Sequence, residues 1–194
     1  MCLVVILSQH KIKIETDDEK MIIAAIHNST QFEDALDSNI SLIFDLNSSI
    51  LTLQKRIEDA HKKNKKLLIH IDLAEGIGKD KEGIQYLKNL GVDGIISTRS
   101  NIIKYAKEAK LLTIQRFFAL DSKSINSIMD TIKISKPDMI EIMPGVIYKI
   151  IHNLKEKLNV PIIAGGLIET QLEIDQALNE GAFAVSTSQK AFWK

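Results

Sequence analysis

Residues 161–188 read PIIAGGLIETQLEIDQALNEGAFAVSTS and contain one complete βαβ unit. An apolar run at 161–165 is followed by an amphipathic stretch that ends at Gly181, and a second apolar run covers 183–187. Short apolar runs separated by helical stretches of about ten residues are typical of parallel strands with crossover helices. The unit therefore predicts two parallel strands whose carboxyl ends lie close together.

The same alternation extends back through most of the chain. Six further apolar runs precede the unit, at residues 22–26, 42–46, 67–73, 94–98, 112–117 and 139–143. Eight βα repeats favour one closed barrel over an open doubly wound sheet, which more often has about five or six strands. We predict an α/β fold, a single (β/α)8 TIM-type barrel of minimal size over residues 21–194. Residues 1–20 are predicted to be an N-terminal extension, either disordered or strand-like.

Composition limits the classes of function. The chain has 194 residues, of which 45% are hydrophobic, and its 25 basic and 25 acidic residues give a net charge of zero. A neutral protein has no global field that attracts nucleic acid, so any such site must be a local patch. The apolar stretch at 1–7 is too short for a membrane span, and a single cysteine, Cys2, fits a reducing compartment. We expect a cytoplasmic protein without a membrane partner.

The ends of predicted strands seven and eight carry the strongest local signal. Gly165 and Gly166 allow a ligand to approach the backbone closely, while Ser186, Thr187 and Ser188 supply hydroxyls and N–H donors at the start of a short helix. The loops after these two strands are the recurrent phosphate site of such barrels. The five residues therefore form a candidate phosphate site. The alternative is a tight turn followed by an ordinary helix cap.

Side-chain alternation predicts which polar residues face the barrel interior. It directs Asp45, His70, Asp72, Gln115 and Glu141 inward. Charged groups inside a barrel must be paired or hydrated, so we expect this cluster near the carboxyl-end mouth, in contact with the polar part of a ligand. A hydrogen-bonded structural network is the alternative, and it is the preferred interpretation for His70.

The three arginines of the chain are Arg56, Arg99 and Arg116. Arg99 follows strand four and Arg116 ends strand five, so both are expected at the carboxyl end, where a guanidinium binds anions by charge-assisted hydrogen bonds. For Arg116, the sequence is equally consistent with an outward side chain that forms an ion pair with a helix carboxylate. The lysine-rich run at 62–66 precedes strand three and is expected to be a solvated loop at the amino end.

Several segments resemble the glycerol-uptake operon antiterminator regulators. They are HIDLAEG at 70–76, GIISTRS at 94–100, TIQRFF at 113–118, EIMPG at 141–145, residues 162–168, and VSTS at 185–188 followed by Phe192-Trp193. The resemblance spans about residues 21–194. It implies a phosphate-binding barrel that responds to glycerol 3-phosphate, binds a leader mRNA and acts as a transcription antiterminator of glycerol metabolism. The chain departs from the family at His27, where an arginine is expected, and at Asp45 and Ser48, where leucine and glycine are expected.

An RNA-binding regulator needs a basic surface. The candidate RNA contacts are Arg99, Lys104, Lys107 and Lys110, which are expected to form one sector of the rim with the aromatic pair Phe117-Phe118. Stacking on a base is one role for these rings, and packing on a helix is the other. The sequence does not decide whether the chain forms a homo-oligomer.

An enzyme acting on a small phosphate ester is the alternative function. Glu141 or Asp72 would then be the general base, and Asp45, Asp72 and Glu141 would be hard oxygen ligands for Mg²⁺. No inward lysine lies at a predicted strand end, which argues against Schiff-base chemistry. We favour the regulator and therefore expect no catalytic residue, no cofactor and no metal.

Overall fold

The computed structural model describes residues 3–6, 13–16, 21–119 and 124–194. Its central feature is a closed barrel of eight parallel strands, in the order of the chain, with the last strand paired to the first. The strands are β1 Met21–Ile26, β2 Leu42–Asp45, β3 Lys66–His70, β4 Gly94–Ser97, β5 Leu112–Phe118, β6 Met139–Met143, β7 Ile162–Gly165 and β8 Ala184–Thr187. The predicted TIM-type barrel is confirmed.

Seven helices in the described ranges cover the outside of the barrel. They are α1 Ser29–Asp37, α2 Leu53–Lys62, α3 Lys81–Leu90, α4 Ser100–Glu108, α5 Ser124–Ser135, α6 Tyr148–Lys157 and α7 Gln171–Asn179. Side-chain caps begin several of them, such as Asn28 for α1 and Asp80 for α3, because the first N–H groups of a helix have no partner within it. A short 3-10 turn, Lys190–Phe192, follows β8.

The first twenty residues contain two further strands. Leu3–Ile6 pairs with Lys13–Thr16 in an antiparallel arrangement, and this sheet is separate from the barrel sheet. The two segments agree with the strand-like alternative for the extension. The other residues of the segment 1–20, Cys2 among them, lie outside the described residues.

Alternating side chains divide the core into two layers. The inner layer fills the barrel with one or more side chains from every strand, among them Ile23, Phe44, Leu68, Ile96, Ile114, Met139, Ile163 and Ala184. The intervening residues pack outward against the helices, as Ile43, Ile69 and Ile95 do. A filled interior leaves the ends of the barrel as the places where a ligand can bind.

The third strand is shorter than its apolar run predicts. β3 ends at His70, and residues 71–73 form a turn in which the Leu73 N–H donates to the His70 carbonyl at 3.1 Å. Asp72 therefore belongs to the loop, and strand alternation does not fix its direction. The prediction that Asp72 faces inward from the strand is wrong, because the continuous apolar run hides the place where the strand stops.

The lysine-rich run lies at the amino end of the barrel, as predicted, but it is not a free solvated loop. Lys65 is buried and donates to the carbonyls of Ser38 and Ile40 at 2.7 and 2.6 Å, and burial lowers the pKa of its amino group. Lys66 forms an ion pair with Asp93 at 2.9 Å. The contacts of Lys65 and Lys66 therefore link neighbouring loops at the amino end of the barrel.

Candidate functional site

The carboxyl ends of the strands surround a cavity of about 180 Å³. Four of the five residues predicted to bind phosphate line it, namely Gly166, Ser186, Thr187 and Ser188. Its other lining residues are Ala25, His27, Leu46, Leu73, Arg116, Glu141, Met143, Leu167, Ile168, Glu169 and Gln189. The structure thus brings the loops after β7 and β8 together with two charged residues of β5 and β6. That these loops bind phosphate stays a prediction.

Arg116 and Glu141 form a buried ion pair in this cavity. They stand opposite each other in neighbouring strands, and the Arg116 Nε donates to the Glu141 Oε2 at 2.6 Å. Arg116 lies on the same face of β5 as Leu112 and Ile114, so its side chain points inward. The outward alternative for Arg116 is therefore wrong, and the inward direction predicted for Glu141 agrees with the structure.

The ion pair uses only part of the guanidinium. The second carboxylate oxygen of Glu141, Oε1, accepts a hydrogen bond from the Ser186 hydroxyl at 2.6 Å, so both oxygens of Glu141 are engaged. The two terminal nitrogens of Arg116 have no hydrogen-bond acceptor among residues 21–119 and 124–194. A guanidinium with unused donors at the wall of a cavity can bind an anion.

The β7 loop is held close to the ion pair by its glycines. A Cβ atom on Gly165 would lie 2.3 Å from the Glu141 Oε1 and 2.6 Å from the Ser186 Oγ, so only glycine fits there. Gly166 and Leu167 both have positive φ, 74° and 58°, which turns the chain sharply after the strand. The Gly145 N–H donates to the carbonyls of Gly165 and Gly166, at 2.6 and 3.0 Å, and fixes the turn.

The β8 loop is held by Thr187 and by the end of the chain. The Thr187 hydroxyl donates to the Ile168 carbonyl at 2.8 Å, and the Trp193 indole N–H donates to the Thr187 carbonyl at 3.0 Å. Trp193 is only 2% exposed. Since the hydroxyls of Ser186 and Thr187 already have protein partners, Ser188 carries the one hydroxyl of the three without a partner in the described chain.

Asp45 does not face the cavity, which corrects the prediction. Its carboxylate accepts a hydrogen bond from the Arg56 Nη1 at 2.7 Å, and Arg56 also donates to the Ser29 hydroxyl at 3.3 Å and lies over the Phe32 ring. These contacts join β2 to α1 and α2 on the outer side of the barrel. All four residues of β2 are buried, so polarity along this strand does not reveal which face is inner.

Gln115 also faces outward, contrary to the prediction. Its side-chain amide donates to the Ser100 hydroxyl at 3.1 Å and accepts from the Ser135 hydroxyl at 2.5 Å, which links β5 to α4 and α5. Arg116, the next residue, takes the inner face instead. The two neighbours have exchanged the directions that alternation was expected to give them.

Asp72 organises the β4 loop and does not line the cavity. Its carboxylate accepts hydrogen bonds from the Thr98 N–H at 2.7 Å, from the Ser97 hydroxyl at 2.9 Å, and from the Arg99 Nε at 2.9 Å. Burial raises the pKa of Asp72, but these hydrogen bonds outweigh it and hold the pKa below its usual range. Arg99 is thus paired with Asp72, although its side chain remains 41% exposed.

His70 points toward the barrel interior and is only 3% exposed. Burial and the nearby positive charge of Arg116 lower its pKa to about 4, so the imidazole is neutral near pH 7. Its Nδ1 has no hydrogen-bond partner within the described residues. The structural network that we preferred for His70 therefore does not include this nitrogen.

The predicted basic sector of the rim is not formed as one surface. α4 starts at the carboxyl end of the barrel and runs toward the amino end. Lys107 lies in its last turn and Lys110 follows its end, so both lie away from the mouth of the barrel. Lys107 is paired there with Asp138 at 3.3 Å. Arg99 and Lys104 remain nearer the mouth, and Phe118 is 56% exposed there, while Phe117 packs against the core.

The three carboxylates that were considered as magnesium ligands do not meet. Asp45 is bound to Arg56, Asp72 to the β4 loop and Glu141 to Arg116 and Ser186. Within the part of the chain that the structure describes, no group of three or more acidic, histidine or cysteine side chains is placed to hold a metal ion. No helix in that part is long and apolar enough to cross a bilayer.

Sequence reasoning did not assign several lining residues to the site, among them His27, Leu73 and Glu169. Each of them lies within a few residues of a strand end, at the carboxyl side of β1, β3 or β7. The position after a strand is the signal that could have found them, since barrel ligand sites are built from these loops. His27 was noted only as a departure from a family pattern.

The fold and the cavity define a (β/α)8 barrel protein with a small pocket at the carboxyl ends of its strands. Residues 22–193 match the family described as the glycerol-3-phosphate responsive antiterminator, and the chain belongs to this family. The resemblance found in the sequence is confirmed.

Known proteins support this assignment along nearly the whole chain. A crystal structure of the glycerol uptake operon antiterminator regulatory protein from Listeria monocytogenes strain 4b F2365 is 38% identical, with a TM-score of 0.86 over 91% of this chain and 96% of that one. A glycerol uptake operon antiterminator-related protein from Thermotoga maritima MSB8 is 30% identical, with a TM-score of 0.80 over 90% and 98%. The Escherichia coli K12 protein YgcP, described as uncharacterized, is 35% identical over 89% of this chain and 91% of its own.

Proposed function

We propose that this protein binds glycerol 3-phosphate in the cavity and, in response, acts as a transcription antiterminator by binding a leader mRNA of glycerol metabolism. The observation that carries the proposal is the convergence of the β7 and β8 loops with the Arg116 guanidinium at one cavity. The family to which the chain belongs is described as responsive to this phosphate ester, and the cavity lies at the carboxyl ends of the strands, where the ligand sites of such barrels are built.

The donors around the cavity suggest how the ligand is held. The N–H groups of Gly166 and Ser188 have no backbone acceptor in the described ranges, and both residues line the cavity. These groups, with the free nitrogens of Arg116, would bind the phosphate oxygens. The glycerol hydroxyls would then donate to the Glu141 carboxylate, which also fixes Arg116 and Ser186.

A stability measurement tests the ligand. At about 100 times its dissociation constant, a ligand that binds only the folded state adds about 2.7 kcal/mol to the free energy of unfolding. We expect glycerol 3-phosphate to give such an increase in chemical denaturation and glycerol at the same concentration to give far less. An increase with a different phosphate ester, but none with glycerol 3-phosphate, would contradict the proposed ligand.

The enzyme alternative has less support from the geometry. Both of its candidate bases already accept hydrogen bonds, Glu141 from Arg116 and Ser186, and Asp72 from three residues of the β4 loop. For Asp72 these hydrogen bonds hold the pKa below its usual range, which weakens it as a general base. For Glu141 both carboxylate oxygens already have partners within the protein, so neither is free to take a proton from a substrate. The same ligand experiment separates the two functions when the ester is recovered and analysed. Conversion to a product would favour an enzyme.

A further inference from the structure

The charged side chains around the cavity do not match a dianionic ligand. Four residues that can carry charge line it, namely His27, Arg116, Glu141 and Glu169. The positive charge of Arg116 is balanced by Glu141 at 2.6 Å, and Glu169 adds a negative charge. With His27 neutral, the side chains of the cavity therefore sum to one negative charge, whereas a phosphate ester carries about −1.5 to −2 at pH 7.

His27 is in the right place to change this balance. It follows β1, the strand that pairs with β8, and the register sets Thr187 opposite Ala24, so His27 lies beside the β8 loop. Its backbone is fixed on both sides, because its N–H donates to the Gln31 Oε1 at 2.7 Å and its carbonyl accepts from the Asn47 Nδ2 at 3.2 Å. Its exposed imidazole has no hydrogen bond or ion pair with another described residue.

Except for Glu169, the other charged groups around His27 are already paired with one another. On the α1 side, Asp34 forms an ion pair with Lys190 of the turn after β8. On the β2 and α2 side, Asp45 is bound to Arg56 at 2.7 Å. Across the cavity are the paired Arg116 and Glu141, and Glu169 of the β7 loop. An anion in the cavity would thus be the strongest new charge near the imidazole.

We infer that His27 is a proton-coupled anion contact, whose imidazole takes up one proton from solvent as the phosphate ester binds and supplies the positive charge that the cavity lacks. The inference rests on the proposed function only in that an anion occupies this cavity. Histidine is suited to the task, since its charge changes between about pH 5 and 8. Binding is then tighter at slightly acidic than at slightly alkaline pH.

Inorganic sulfate separates the protein's titration from that of the ligand, because sulfate remains a dianion throughout the neutral pH range. Titration calorimetry in two buffers with different ionisation enthalpies gives the number of protons taken up on binding. For the wild-type protein we expect net uptake of protons on binding near pH 7, because histidine is the side chain that can change its charge in this range. His27→Gln should abolish the uptake and weaken sulfate binding about tenfold at pH 6, the equivalent of one pKa unit.

Two further variants complete the test. His27→Lys should restore tight binding without proton uptake, because its charge is permanent. His152→Gln, an exposed histidine of α6 outside the cavity lining, should leave both quantities unchanged. Proton uptake that persists in His27→Gln, or unchanged affinity in that variant, would overturn the role of His27. If neither sulfate nor glycerol 3-phosphate binds the wild-type protein, the proposed function fails instead.

Discussion

The two adjacent glycines of the β7 loop have different reasons to be glycine. At Gly165 a side chain would collide with the paired Glu141 and Ser186, whereas at Gly166 the obstacle is a positive φ and the flexible end of Met143. At Gly165 the lack of space within the site excludes a side chain. At Gly166 the backbone conformation at the edge of the site disfavours one.

We therefore expect Gly165→Ala to be the more harmful substitution. It should destabilise the protein by about 1–3 kcal/mol through overpacking and remove the stabilisation by glycerol 3-phosphate. Gly166→Ala should cost about 1 kcal/mol for its left-handed backbone. Denaturation curves of both variants with and without ligand provide the measurement, and equal effects of the two would contradict this view of the loop.

His70 makes the stability of the barrel depend on pH. Its pKa is about 4 in the folded protein and about 6.5 in an unfolded chain, so between these values the unfolded state binds more protons. Stability is therefore highest above pH 6.5 and falls as the pH decreases toward 4, by up to roughly 3 kcal/mol.

The variant His70→Gln should lose this dependence, since glutamine does not titrate. We expect the difference in unfolding free energy between pH 7 and pH 4.5 to be smaller in the variant than in the wild-type protein. His152→Gln is a suitable control, because His152 is exposed. An identical decrease in wild type and His70→Gln would show that another group is responsible.

At the scale of the elements, the loop after β4 is held by one side chain of the neighbouring loop. Asp72, from the turn after β3, accepts hydrogen bonds from Ser97, Thr98 and Arg99 and so ties two successive loops together. Since the pKa of Asp72 is lowered, its contribution is present above the pKa of about 3.9 for an unfolded aspartate and is lost as the pH falls through the folded value.

Asp72→Asn should destabilise the protein at pH 7 by about 1.5–3 kcal/mol, the range for hydrogen bonds to a charged group. The difference from wild type should shrink in acid, where the wild-type carboxyl is also uncharged. Asp130→Asn removes an exposed ion pair with Lys133 and should cost less than about 1 kcal/mol. Equal losses in the two variants at pH 7 would mean that Asp72 does not organise the loop.

The apolar runs of the sequence predict where the strands lie, but not which way their polar side chains point. All eight strands follow from apolar runs, because a parallel strand in a barrel is buried on both faces and must be apolar. The same burial explains the errors at Asp45 and Gln115, since alternation is a guide only where one face is polar. The loops after β7 and β8 were found because their position in the barrel, and not their periodicity, identified them.

The contacts within the site could not be predicted in the same way. The ion pair of Arg116 with Glu141 depends on the register of two strands, and the bond from Ser186 to Glu141 joins residues 45 positions apart. One sequence contains no direct signal for either contact. The place where β3 ends, and with it the role of Asp72, likewise depends on the turn that packs beside the β4 loop.

At the scale of the whole molecule, the proposed function requires that RNA and ligand meet on one protein with no net charge. Lys104 lies on α4 without an ion-pair partner in the described residues, whereas Lys107, one turn later, is bound to Asp138. Variants at these two positions of one helix therefore distinguish a lysine that contacts RNA from a lysine that stabilises the fold.

We expect Lys104→Glu to weaken binding of the leader RNA and to lower the dependence of binding on the logarithm of salt concentration by about one unit. Lys107→Glu should instead reduce stability and leave RNA affinity unchanged. Glycerol 3-phosphate should tighten RNA binding by the wild-type protein. Filter-binding titrations at several salt concentrations measure these effects, and unchanged affinity in Lys104→Glu would exclude this face of α4 as an RNA contact.

Because β8 pairs with β1, the pocket can form only after the last strand has been synthesised. His27 follows the first barrel strand, and Ser186 and Ser188 belong to the end of the last one, where Trp193 holds the loop in place. While the chain is still on the ribosome, the early strands lack the partner that completes the wall. A nascent chain without β8 therefore lacks one wall of the pocket, so the proposed binding of a phosphate ester requires a chain that has been synthesised through its last barrel strand.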